Sequence, residues 1–132
     1  MAANSIVDGT PFKIAFSDKK SEGNRLKGEW PMIHPLLRGA ILTMAEWLSY
    51  AYNIRTLTLT CLYRTAAENK KDGGKPNSLH VKNRAADIRT WPYKPHVLDE
   101  IAFWWIENIR NNDPRLQIEM EANHIHVEFD EG

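Results

Sequence analysis

A chain of 132 residues is long enough for one hydrophobic core and too short for a second independent one. Apolar residues at 42% and charged residues at 26% suit a soluble globular protein and exclude a disordered or membrane-spanning class. Seventeen Lys and Arg balance seventeen Asp and Glu, so no net charge favours nucleic acid or anionic lipid, and the single cysteine, Cys61, excludes an internal disulfide or a cysteine-rich zinc site.

Residues 1–30 pattern weakly and read as an irregular arm, in which PFKIAF is the one stretch able to form an edge strand. They contain no apolar run of signal-peptide or transmembrane length, so synthesis in the cytoplasm without an export address is expected. From Pro31 the spacing of Ile33, Leu36, Leu37, Ala40, Ile41, Met44, Leu48 and Ala51 predicts an amphipathic helix. IRTLTLTCLYR alternates as a strand, with Leu57, Leu59 and Cys61 on one face, Cys61 as a small apolar filler, and Arg64 at its end. Thr65 to Asn77 contains KKDGGKPN and reads as a mobile loop. A second amphipathic helix is expected from about Pro95 to Asn108, through Val97, Leu98, Ile101, Trp105 and Ile109. RLQIEME and HIHVEF alternate around Ala122-Asn123 as a β-hairpin. Trp91, Trp104 and Trp105 are assigned to core or rim packing rather than to a ligand groove.

Two segments carry chemistry. In SLHVKNRAADIR, His80 and Asp87 are seven residues apart; in HIHVEF, His124 and His126 project from one strand face. Three imidazoles and a carboxylate are thus available to one cation. A catalytic zinc takes three protein ligands from nitrogen and oxygen donors and leaves one position to water, so four candidates compete for three places. A two-residue turn at Ala122-Asn123 would set Glu121 across from His124 and Glu119 across from His126, both on the histidine face.

Ser78, His80, Ala85 and Asp87, followed by His124-Ile125-His126, resemble the SxHxxGxAxD and HxH motifs of the zinc peptidases. That family includes D-alanyl-D-alanine carboxypeptidases, phage L-alanyl-D-glutamate endolysins and the hedgehog amino-terminal domain. Tyr63-Arg64-Thr65 with Glu68 is similar to the family's YRS/T segment, and the likeness spans roughly residues 55 to 130. Asn83 replaces the usual glycine, and Asn is the residue that best tolerates the same positive φ.

The resemblance implies an α+β fold: a small antiparallel sheet carries the zinc site between two main helices, and residues 1–132 form a single zinc metallopeptidase domain. It implies Zn2+ held by His80, Asp87 and His126, with His124 donating to the substrate or the oxyanion; the alternative is zinc on His124 with His126 supporting it. Glu121 is the expected general base, ahead of Glu119, with Glu128 beside the site or on the surface. Arg64 would hold the oxyanion or a substrate carboxylate, unless it pairs with Glu68, and Ser78 would cap a turn or bind substrate. The implied activity is hydrolysis of an amide in peptidoglycan stem peptides or cross-links by a monomer that binds neither nucleic acid nor membrane. It would act as a phage endolysin or particle-borne lysis domain; a zinc-containing binding module without turnover is the alternative.

Overall fold

The computed structural model describes residues 12–17, 22–91 and 93–132. The readings made for residues 1–11 and 18–21 lie outside the described residues. Nine main elements follow one another: β1 (Lys13–Phe16), α1 (Glu22–Glu29), α2 (Pro35–Tyr52), β2 (Thr56–Cys61), α3 (Ala66–Lys71), β3 (Ala85–Arg89), α4 (Pro95–Trp105), β4 (Leu116–Met120) and β5 (His124–Phe129).

The two expected amphipathic helices form. Pro35 opens α2 with its φ already helical, and His34 Nδ1 caps it by accepting from the Leu36 N–H at 3.2 Å. The stripe Leu37, Ala40, Ile41, Met44 and Leu48 is buried, and Asn53 ends the helix in the left-handed region at φ 59°. In α4, Val97, Ile101 and Trp105 are buried, and the chain continues through a π-helical turn, Ile106–Arg110. Trp105 is fully enclosed with its indole N–H donating to the Leu116 carbonyl at 3.1 Å, whereas Trp104 stacks on Trp47 and Trp91 stays exposed.

The strands form one five-stranded sheet in the order β1-β2-β3-β5-β4. It is antiparallel as expected except at its edge, where β1 runs parallel to β2. Ile88, Ile125, Val127 and Phe129 join the core with α2 and α4, each at 1% exposure or less. Complete burial of such side chains contributes roughly 1.5–3 kcal/mol each, so the apolar face of β5 anchors the strand and leaves its alternate face to chemistry.

Three local expectations are corrected. In the described part of the arm PFKIAF supplies the edge strand β1 as expected, but the residues after it are not irregular: they form α1, with Leu26 buried in the common core. Thr65 to Asn77 is not loop throughout, because the Thr65 hydroxyl accepts from the Glu68 N–H while the Glu68 carboxylate accepts from the Thr65 N–H, and this capping box starts α3. Cys61 is not core filler. Leu59 pairs with Ile88 but Cys61 pairs with Asp87, so one extra residue bulges out of β2 between them. The bulge reverses the alternation: Leu62 enters the core at 0% exposure and Cys61 turns to the face of Asp87.

Candidate metal centre

Strand register assembles the centre. Asp87 lies directly across from His126, which lies directly across from Glu119, while Ala85 and Gln117 flank Glu128, and Arg89 faces His124. These alternate residues of β3, β4 and β5 share the face opposite the core. The fourth segment is a 3₁₀ turn, Leu79–Lys82, that brings His80 over the sheet. Ser78 caps the turn by accepting from the His80 N–H at 3.3 Å, and Asn83 closes it at φ 58°. The replacement of glycine by asparagine therefore keeps the left-handed backbone.

Three residues converge. Asp87 Oδ1 is 3.2 Å from His80 Nε2 and 2.9 Å from His126 Nδ1, and all three side chains are largely withdrawn from solvent. Donors of a tetrahedral zinc, each roughly 2.0–2.1 Å from the metal, lie about 3.3 Å apart, and both separations from Asp87 Oδ1 are close to that spacing. The outer atoms fit as well. His80 Nδ1 donates to the Leu62 carbonyl at 2.6 Å, and His126 Nε2 sits 2.7 Å from Glu128 Oε1, which points His80 Nε2 and His126 Nδ1 inward.

Without a cation, protons hold the cluster together. Burial opposes charge on His80, but the hydrogen bonds to Asp87 and Cys61 outweigh it and lift its pKa to about 10. Burial likewise opposes charge on His126, and Asp87 with Glu128 raises it to about 9. Burial would raise the Asp87 pKa, yet its bonds to the two imidazoles hold it far below the ordinary carboxylate range.

The remaining candidates surround this cluster. His124 Nε2 lies 3.7 Å from Asp87 Oδ1, with Nδ1 2.7 Å from Asn123 Oδ1, and the ring is partly exposed. Arg64 Nη2 is 4.0 Å from Asp87 Oδ2, and its guanidinium also meets Asn69 and Asp72. Glu68 pairs instead with Arg25, at 2.8 and 2.9 Å. Glu119 and Glu128 line a cleft of about 340 Å³ together with His126. Glu121 lies past the end of β4, exposed, its N–H donating to the His124 carbonyl.

Cys61 was missed as a neighbour of the centre. Its Sγ is 3.7 Å from His80 Nδ1, and Cys61, His80 and Asp87 each offer a potential ligand atom within 4.8 Å of the other two. His80 Nδ1 faces both the Cys61 thiol and the Leu62 carbonyl, while Nε2 faces Asp87 Oδ1. No periodicity in TLTLTCL reveals this, since the bulge depends on pairing with β3.

A buried imidazole–carboxylate–imidazole cluster, open to a cleft and flanked by carboxylates and an arginine, is the equipment of a metallopeptidase. Residues 35–128 match the Peptidase M15 family, and the chain belongs to that family of zinc-dependent peptidases. Comparison with curated proteins and with solved structures gives no match. Among the described residues, no helix is long and apolar enough to cross a membrane.

Proposed function

We propose that the chain hydrolyses an amide bond in bacterial peptidoglycan, in a stem peptide or a cross-link, with zinc held by His80 Nε2, Asp87 and His126 Nδ1. The observation that carries the reading is the convergence of the two imidazole nitrogens on one carboxylate oxygen at 3.2 and 2.9 Å, in a chain of the M15 family. When bound there, zinc supplies a water whose pKa is lowered towards roughly 7 and polarises the scissile carbonyl.

The chain's own groups do the rest. A carboxylate takes the proton of the attacking water and delivers it to the amine that leaves as the C–N bond breaks. Glu119, directly across from His126 and in the same cleft, is better placed for this than Glu121 at the exposed hairpin end. His124, at the rim of the cluster, donates to the oxyanion that forms on the carbonyl oxygen. Arg64 binds a substrate carboxylate and fixes the register of the peptide. The Leu62 carbonyl and Glu128 hold the two imidazoles in orientation. We assign the wall peptide as substrate, and a phage endolysin or particle-borne lysis role, on the resemblance of the motifs.

The test is release of free amine from purified peptidoglycan by the zinc-loaded protein and by Glu119→Gln and Glu121→Gln. The wild type should release peptide termini, and Glu119→Gln should reduce the rate by about 10²–10⁴-fold with zinc retained. Loss in Glu121→Gln alone would return the base to Glu121, and zinc binding with no release by the wild type would favour a binding module.

A further inference from the structure

We propose that Arg89 is a second carboxylate-binding residue, on the side of the centre opposite Arg64, so that the preferred substrate is a peptide with an acidic group on the His124 side. The identity of the substrate as a peptide rests on the reading above; the anion subsite rests on the following geometry.

Arg89 is two residues after Asp87 on β3 and directly across from His124 on β5. Period-two alternation puts its side chain on the face of Asp87 and His126. Two residues of strand span roughly 6.6 Å, the reach of about one peptide unit from the reacting centre. Arg64 approaches from the other direction: β2 runs antiparallel to β3 with Cys61 beside Asp87, so the chain beyond Cys61 continues past the Ala85 end of β3. The two guanidinium groups therefore bracket the centre along the strand.

Their partners differ. Arg25, Arg38, Arg55, Arg84 and Arg115 are each engaged by a carboxylate or carbonyl oxygen within the fold, and Arg64 meets Asn69, Asp72 and Asp87. Among the described residues Arg89 and Arg110 have no side-chain hydrogen bond, ion pair or ring contact; Arg110 lies in the turn Ile106–Arg110, whereas Arg89 is half-buried on the sheet next to the centre. A guanidinium is always charged and presents a planar fork of donors that matches a carboxylate. Glu121 is the nearest acidic residue in the same cross-strand row, and His124 lies between the two. An unpaired arginine held on a rigid strand beside a hydrolytic centre thus offers its fork to a ligand.

The probe is N-acetyl-L-alanyl-D-glutamate and its diamide, titrated by NMR into the zinc-loaded full chain, wild type and Arg89→Met, Arg89→Lys and Arg64→Met. The acid should bind the wild type about tenfold to a hundredfold more tightly than the diamide. Arg89→Met should lose most of that preference, Arg89→Lys should keep part of it, and affinity for the diamide should stay unchanged in both, which shows the fold intact. Equal binding of acid and diamide by the wild type would overturn the proposal. So would an Arg89→Met protein that keeps the full preference while Arg64→Met abolishes it. Amine release from the wall is measured on the same samples: binding that depends on Arg89 without hydrolysis would count against the peptidase reading and leave the subsite standing.

Discussion

Zinc bound at the proposed centre would have to displace protons, and their number follows from the hydrogen bonds. His80 Nδ1 faces the Leu62 carbonyl, which can only accept, so that nitrogen carries hydrogen. Its Nε2 faces the Asp87 carboxylate, so the metal-free ring donates from both nitrogens and is an imidazolium, consistent with a pKa raised to about 10. His126 lies between Asp87 and Glu128 and is held protonated in the same way, up to about 9. A zinc ligand must be a neutral imidazole, so under the proposed assignment His80 would give up its Nε2 proton and His126 its Nδ1 proton. Below these pKa values, binding of one zinc should release close to two protons, and affinity should rise roughly 100-fold per pH unit, flattening near pH 9. Isothermal titration in two buffers of different ionisation enthalpy counts the protons, and competition with a chelator gives the affinity. Release of less than one proton, or an affinity flat between about pH 6 and 8, would refute the assigned ligand atoms.

The same shifts govern the metal-free fold. Both histidines have folded pKa values above the ordinary 6.5, so their stabilisation is complete below about pH 6.5 and is lost as pH rises through about 9 to 10. The Tm of chelated protein should fall across that window while zinc-loaded protein holds its Tm, and parallel curves would contradict the coupling. Asn83→Ala should cost about 1–2 kcal/mol, because alanine resists φ 58°, whereas Asn83→Gly should fold at least as well as judged by urea denaturation. Thr65→Ala should cost about 1 kcal/mol in the same assay through loss of the capping box. Cys61→Ala should retain zinc, since His80, Asp87 and His126 supply the three proposed ligands; stoichiometric loss of zinc would make Cys61, which lies within 4.8 Å of ligand atoms of His80 and Asp87, a ligand.

The sequence reached the parts of this architecture that depend on short-range periodicity. The α2 stripe, the start of α4 and the β4–β5 register were all readable, and that register alone places Glu119 across from His126. What it did not show depends on distant partners. The β2 bulge that exchanges Cys61 for Leu62 exists only through pairing with β3. The bond between Glu68 and Arg25 joins residues 43 apart and takes Glu68 away from Arg64. The α3 capping box was present as Thr65-x-x-Glu68, but the glycines and proline that follow dominated the reading of that segment. The convergence of His80 on Asp87 needs the left-handed Asn83, whose tolerance for the turn was foreseen but whose result, a ring aimed at the sheet, is tertiary.

The measurement that tests the central claim most directly is zinc per chain, by elemental analysis after dialysis, for wild type, His80→Ala, His126→Ala and His124→Ala. One zinc in the wild type and in His124→Ala, with loss in the other two, is the expected result. Zinc retained by His126→Ala and lost by His124→Ala would contradict the assigned centre.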